Sequence, residues 1–289
     1  MEQQIIDTFR KHKGRYGSRR IAKAIEAEGQ KLSRYKAGKT MNKYGLKAIQ
    51  PRSFVPRTTD SRHRYTISPN LLLDRVLPQQ SNEVWVGDIT CIPLVGQQWA
   101  YLAVWMDLFS RKIIGWQLED HMQETLILAA LKKALNTRTV PTGVIIHSDR
   151  GGQYAGKRFR KILNDEKMMQ SMSRADNPYD NAFMESCFSR FKAELLQDGI
   201  FETIEDARTE IFEFIEMYYN TIRLHSSLDY KSPAQYEQVY EQKKISLSCT
   251  NKQRSFIPKN LFIERGIEPL SIKDKQPSSA LPKELSHIN

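Results

Sequence analysis

Three acidic residues carry the strongest chemical signal in this chain of 289 residues. Asp88 lies inside Trp85-Val86-Gly87-Asp88-Ile89-Thr90, a β-branched and aromatic run that reads as a strand. A carboxylate in such a run is costly to bury unless it is paired or holds a metal. Asp149 follows the apolar run Val144-Ile145-Ile146 and stands before Gly151-Gly152, at the open end of a buried strand. Glu185 lies on the helix that begins at Asn181-Ala182-Phe183-Met184. Sixty residues separate Asp88 from Asp149, and thirty-five separate Asp149 from Glu185. Singly, each has a plainer explanation: an Asp before two glycines is usually a turn former, and Asp107 and Asp120 also stand at strand ends. Jointly they form an oxygen-only donor set, which suits Mg²⁺, a cation that takes few protein carboxylates and keeps several waters. Two such ions about 3.5–4 Å apart generate an oxygen nucleophile and stabilise an oxyanion leaving group, the two needs of phosphodiester cleavage. In that scheme Asp88 bridges both ions, and Asp149 and Glu185 hold one each. His147 shares a strand face with Asp149 by i, i+2 alternation, and Asn181 opens the Glu185 helix. Both are candidates to line the site, although a histidine so placed is more often a satisfied core residue. Asp176 is an alternative acid in the preceding loop, and Asp180 reads as the N-cap of the helix.

These positions need a sheet and a helix that converge. Residues 84–90, 99–106 and 112–117 are rich in Val, Ile, Trp and Tyr and read as three strands with tight antiparallel connections. A helix over 123–136, with Leu126, Ala129, Ala130, Leu131 and Leu135 as its apolar stripe, leads by a crossover to a strand over 143–148. A helix over 156–165, a short strand over 168–172 and a long helix over 180–197 follow. This order is that of an RNase H-like fold, an α/β core with a mixed five-stranded sheet and flanking helices. In it the first strand, the end of the fourth strand and the last helix meet at one edge of the sheet. Met184, Phe188, Phe191 and Leu195 make a buried stripe on that helix, while Glu185, Ser189 and Lys192 share a face turned by about 100°. Lys192 is therefore either a solvated lysine or a phosphate contact beside the acids. Thr203 with Asp206 suggests a capping box for a helix reaching about Tyr219.

The charge lies ahead of this core. Residues 1–75 hold 18 Lys and Arg against 6 Asp and Glu, a balance of +12 that exceeds the +11 of the whole chain. A module so lopsided more often meets a polyanion than solvent alone. Ile5, Ile6 and Phe9 mark a helix over 2–13. Ser18 reads as the cap of a second helix ending at Glu28 and Gly29, and Ser33 as the cap of a third, basic one ending at Gly45. The outline is a helix-turn-helix with Arg19, Arg20, Arg34, Lys36, Lys39 and Lys43 available to DNA, or a generic three-helix bundle with a basic skin; pattern leaves both open. Pro51 and Pro56 punctuate a basic linker, and Ser68-Pro69 reads as the start of a short helix through Val76. The expected division is a helical module over 1–48, a linker with a short helix over 49–82, a catalytic core with a C-terminal helical extension over 83–240, and a polar, partly disordered tail over 241–289.

No apolar run approaches membrane-spanning length, and no secretory leader is recognisable, so a cytoplasmic protein with no membrane partner is expected. Cys91, Cys187 and Cys249 are too scattered for a disulfide framework or a zinc site, and His12 and His63 lack cysteine partners.

The chain resembles the OrfB transposases of bacterial insertion sequences of the IS-three family, which share a catalytic core with retroviral integrases. The likeness is carried by Trp85 to Thr90, by Asp107-Leu108-Phe109-Ser110-Arg111-Lys112-Ile113-Ile114-Gly115-Trp116, by His147 to Tyr154, and by Ser173-Arg174 through Glu185 and Lys192. The segment Tyr219-Asn220…Arg223…His225…Leu228…Tyr230…Ser232-Pro233…Tyr236 looks like the family's closing motif, and Tyr16-Gly17-Ser18-Arg19-Arg20-Ile21 is similar to its helix-turn-helix opening. The resemblance covers roughly residues 2–240. It implies a DDE transposase in which Asp88, Asp149 and Glu185 hold two Mg²⁺ ions, with Mn²⁺ as substitute, and Lys192 contacts DNA. It implies water attack at the element's end, then transfer of the freed 3′-hydroxyl to another strand. It also implies double-stranded DNA as partner, a homo-oligomer on that DNA, association with the nucleoid when bound, and an OrfA-type partner from an upstream frame. Two other readings use the same residues: a hydrolytic RNase H-like nuclease, and a non-catalytic DNA-binding regulator derived from a transposase.

Overall fold

The computed structural model describes residues 1–51, 65–73, 75–174, 178–196 and 199–255. Three short helices open it: α1 (Glu2–Lys11), α2 (Ser18–Ala27) and α3 (Arg34–Lys43). Their apolar spacing becomes a small core of Ile5, Tyr16, Ile21, Ile25, Ala37 and Met41. Ser33 caps α3 by accepting the Lys36 amide. Ser18 does not cap α2. The extended Gly17 holds that position, and Ser18 is already helical.

The expected helix after Ser68-Pro69 is replaced by a turn over residues 71–73, with Asp74 outside the described residues. The polar groups that would start a helix are spent on the sheet edge instead. The Ser68 hydroxyl donates to Gln170 at 2.8 Å, the Leu71 amide donates to Ser171 Oγ at 2.9 Å, and the Met172 amide donates to the Pro69 carbonyl at 3.3 Å. This strap covers strand β5, an edge otherwise open to pairing. The linker residues 52–64, Pro56 and His63 among them, lie outside the described residues.

The sheet comprises β1 (Val84–Leu94), β2 (Gln98–Asp107), β3 (Ile113–Glu119), β4 (Ile145–Ser148) and β5 (Met169–Met172) in the order β3-β2-β1-β4-β5. The first three strands are antiparallel, and β1–β4 and β4–β5 are parallel. β1 and β2 run past their expected ends because Gly96, at φ 74°, turns the chain tightly enough for pairing to continue to Leu94 and Gln98. One face is covered by α4 (Glu124–Thr137) and α5 (Lys157–Asp165), through Leu126, Ile127, Ala130, Leu131 and Phe159. At Gly115 an added β-carbon would lie 2.3 Å from the Ala130 carbonyl, so this glycine sets how closely α4 approaches β3. The other face takes α6 (Ala182–Leu195) and α7 (Ile204–Phe212), which continues as a π-helix over Glu213–Tyr219. The Thr203–Asp206 capping box forms in both directions. Antiparallel strands leading by a crossover into parallel ones, with helices on both faces, make an RNase H-like α/β core.

Asp180 does not cap α6. Asn181 occupies the cap position, and the Asp180 carboxylate takes Arg174 and the Asn70 amide instead. The last helix among the described residues is α8 (Pro233–Ser255), and in its first turns Glu237 pairs with Arg138 at 2.7 Å and Lys112 at 3.3 Å. The change of composition after Tyr240 does not end it, so helix extends into the expected tail; residues 256–289 lie outside the described residues.

Candidate active site

Register places the first two acids. Along the parallel β1–β4 pair, Val84 faces Ile145, Trp85 faces Ile146 and Val86 faces His147. Asp88 stands two residues beyond Val86 and so belongs to the face on which Val86 packs with Met184 and Phe188 of α6, and Asp149 follows directly on the end of β4. Between Val86 and Asp88, Gly87 points to the opposite face, where an added β-carbon would lie 2.3 Å from the Trp105 ring. Trp105 in turn stacks on Phe159 and meets Tyr154 edge-on. Aromatic packing from behind thus fixes the stretch of β1 that carries Asp88.

Asp88 Oδ1 accepts the Ile89 amide at 2.8 Å, and Oδ2 accepts Asn181 Nδ2 at 3.2 Å. Asp149 Oδ1 accepts the Gly151 amide at 3.0 Å, and a β-carbon on Gly151 would sit 3.1 Å from that oxygen. Glu185 is exposed in the first turn of α6. Burial and then the Asp149 carboxylate push the Asp88 carboxyl well above its ordinary range; Glu185 adds to this, while the Ile89 amide and Lys192 oppose it. Burial lowers the Lys192 ammonium, against the pull of Cys91 and Asp88. Asp88, Asp149, Glu185, Asn181 and Lys192 therefore share one locality.

The residues fit divalent cations. The half-buried Asp88 carboxylate feels both Asp149 and Glu185, and the buried Asn181 Oδ1 beside it has no hydrogen-bond partner. Among the described residues, the only three His, Cys, Asp or Glu side chains with ligand atoms all within 4.8 Å of one another are Glu119, Asp120 and His121, after β3. The Asp88–Asp149–Glu185 set is more open than that. A pair of ions asks for no tighter cluster, since only one carboxylate must reach both and the other two serve opposite ions.

His147, expected to share the Asp149 face, is fully buried. Its Nδ1 lies 2.8 Å from Ser171 Oγ, and its Nε2 lies 3.0 Å from the Asp180 carbonyl and 3.2 Å from Ser173 Oγ. It ties β4 to β5 and to the turn before α6, a supporting role rather than a lining one. Asp107 is also structural, accepting the Asn82, Phe109 and Ser110 amides. Asp176 lies outside the described residues.

In the front module, Arg19, Arg34, Lys36 and Lys39 are exposed, and Lys43, also exposed, pairs with Glu2 at 2.9 Å. Ser18, Arg34, Tyr35, Gly38, Lys39 and Asn42 line a shallow groove between α2 and α3. Arg20, expected among the DNA contacts, turns inward instead. Its side chain is 16% exposed and lies 3.8 Å from Glu194 of α6. Sequence reasoning passed over Glu194, which is bound by Arg223 of the closing segment at 2.6 Å. The available signal was a carboxylate set between Phe191 and Leu195 of the apolar stripe. It also gave no role to Asn220, whose amide replaces a missing strand neighbour by bonding both backbone groups of Ile113.

Residues 1–54 match the HTH-like domain family, and residues 78–178 and 166–233 match two families described as integrase core domain. Over 237 residues the chain is 40% identical to the transposase for insertion sequence element IS904 of Lactococcus lactis, spanning 82% of this chain and 93% of that protein. The chain belongs to the insertion-sequence transposase family. The transposase is also 35% identical over 233 residues to transposase InsF for insertion sequence IS3A of Escherichia coli, spanning 81% and 80% of the two chains. A solved structure of the HTLV-2 integrase catalytic core domain in complex with magnesium is 17% identical, with a TM-score of 0.43, over 55% of the transposase and 98% of that chain. By its family matches and relatives the transposase is an enzyme with an integrase-type core, and its three front helices are HTH-like rather than a generic bundle. Among the described residues no helix is long and apolar enough to cross a membrane.

Proposed function

We propose that this transposase cuts DNA at the ends of its insertion sequence and joins the freed 3′-hydroxyl to a target strand, with Asp88, Asp149 and Glu185 holding two Mg²⁺ ions, for which Mn²⁺ substitutes. The observation that supports this reading is that Asp88 on β1 and Asp149, directly after the adjacent parallel strand β4, interact closely enough that Asp149 raises the Asp88 carboxyl, with Glu185 adding to it. When bound, the ions supply a neutral-pH oxygen nucleophile and charge neutralisation for the leaving oxygen. The chain's residues provide the rest. Asp88, anchored by the Ile89 amide and Asn181, is the central ligand. Asp149 is held by its turn to Gly151, and Glu185 approaches from α6. Lys192, two turns along the same face as Glu185, meets a DNA phosphate. In each step one P–O bond forms as another breaks, so no energy-carrying cofactor is needed.

Arg19, Arg34, Lys36, Lys39 and Lys43 would lie along duplex DNA through the α2–α3 groove. Pairing two element ends calls for a homo-oligomer, and an OrfA-type chain is the expected partner in end recognition. A cytoplasmic site of action, on the nucleoid, follows from that substrate. The chain divides into the front module over 1–48, the linker over 49–82, the core with its extension over 83–240, and the polar tail over 241–289 that composition marks as partly disordered.

The test uses a labelled duplex carrying the element's end, Mg²⁺ and a target duplex. Wild type should nick and join. Asp149→Ala should lose both by about 10³-fold or more while still shifting the labelled duplex on a gel. Joining by that variant at the wild-type rate sinks the reading. Cleavage without joining of pre-nicked ends would indicate a hydrolytic nuclease, and binding without any turnover a regulator.

A further inference from the structure

Glu194 lies nine residues beyond Glu185 on α6. At about 100° per residue the two side chains leave opposite sides of the helix. Glu194 is 4% exposed. Its carboxylate accepts Arg223 twice, Nη2 to Oε1 at 2.6 Å and Nε to Oε2 at 2.8 Å. From the front module, Arg20 Nη1 reaches within 3.8 Å of the same Oε1, and Arg15 Nε donates to the Glu194 carbonyl at 3.3 Å. The Arg15 guanidinium lies 4.6 Å over Tyr218 and 5.0 Å over Phe214. Tyr16 seals the seam: its hydroxyl accepts the Leu224 amide at 2.8 Å and faces the Ile222 carbonyl at 3.3 Å. The motif that opens the helix-turn-helix and the motif that closes the core are two halves of one joint, with the acid-bearing helix between them.

A buried carboxylate gripped by two guanidiniums is weak evidence for stability, because desolvation offsets much of the attraction; its better-attested use is to fix a register. Here the register is the rotation of α6, which sets where Glu185 points. The neighbouring Arg19 is exposed, next in the chain to Ser18, which lines the α2–α3 groove. One end of α2 thus presents an arginine outward and an arginine to the far side of the acid-bearing helix.

We propose that Arg20 and Arg223, through Glu194, are positioning residues that set the rotation of α6 and couple the seating of DNA on the front helices to the placement of Glu185. This rests on Glu185 being a catalytic acid. In the full chain, three quantities are to be compared for wild type, Arg20→Met and Arg20→Lys: affinity for the end duplex, joining rate at saturating duplex, and thermal unfolding midpoint. Arg20→Met should lower the saturated rate by about ten- to a hundredfold, the range for misplacement from afar, with affinity and midpoint nearly unchanged, and Arg20→Lys should recover part of the rate. Arg20→Gln, which leaves the buried Glu194–Arg223 pair intact, should show the same split and serves if Arg20→Met does not fold. Weaker binding with an unchanged saturated rate would make Arg20 a DNA contact and overturn the proposal. So would an unaltered Arg20→Met, or a joint fall of rate, affinity and midpoint without rescue by lysine. A wild type that cannot join would overturn the catalytic reading itself, an outcome distinct from a joining wild type with an indifferent Arg20→Met.

Discussion

At the scale of single residues, Asn181 is the most informative position. Its amide joins the β1 acid to the N-terminus of the helix bearing Glu185, and outer partners of metal ligands are typically worth about 10–100-fold in metal affinity. Asn181→Ala should raise the Mg²⁺ concentration for half-maximal joining by about that factor, with the maximal rate less affected. An unchanged Mg²⁺ titration would remove Asn181 from the site. At the residue scale, the i, i+2 relation in the sequence placed His147 on the Asp149 side of the strand as a candidate lining residue, and the structure buries it instead. The sequence did not reveal that Ser171 and Ser173 would enclose the imidazole, because those partners come from β5, a strand away. Arg19 and Arg20 were indistinguishable for the same reason. Which of two adjacent arginines is solvated depends on Glu194, 174 residues beyond Arg20 in the chain.

At the scale of elements, β1 depends on what lies behind it. Gly87→Ala drives a methyl into Trp105, which is itself held by Phe159 and Tyr154, so no neighbour yields easily. A loss of about 1–3 kcal/mol is expected in urea unfolding, as for an overpacked core. A variant as stable as wild type would show that β1 can shift, and the Asp88 position with it. Strand and helix order was legible because runs of Val, Ile, Trp and Tyr alternate with helical stripes over long stretches. The strap near Ser68-Pro69 was not. Its serine and proline carry a helix-start signal, yet the edge of β5 offers Gln170 and Ser171 as nearer partners than a first helical turn. Likewise Asp180 found Arg174 before it could cap α6, and that pairing holds its carboxyl down at about 2.

At the scale of the whole molecule, charge and burial set the response to solution conditions. With the positive excess in the front quarter of the chain, affinity for any duplex should fall by roughly 10³–10⁵-fold between about 50 and 200 mM salt if 6–10 phosphates are neutralised. A salt-independent affinity would deny the front module that role. The joint between module and core also contains two buried imidazoles. Burial, then Lys11, pushes His12 down to about 4, and burial, then Arg223, pushes His225 down to about 2. In the unfolded chain both bind a proton near pH 6.5, which the folded chain refuses. Stability should therefore fall as pH drops from about 6.5 to 4, by up to about 3 kcal/mol from His12. The His225 contribution continues below that. Urea midpoints measured across this range should decline, and His12→Gln should flatten the decline; a level profile for wild type would mean the imidazoles are solvated.

The sheet's central strand also has a temporal consequence. β1 pairs with β2 through a three-residue turn, but with β4 only after the whole α4 crossover. Local pairings form readily and distant ones late. During synthesis, a ribosome that has delivered the hairpin and meander has made Asp88 without its companion, and Glu185 is still untranslated. On the function proposed, the nascent polypeptide carries its basic front well before it carries all three acids.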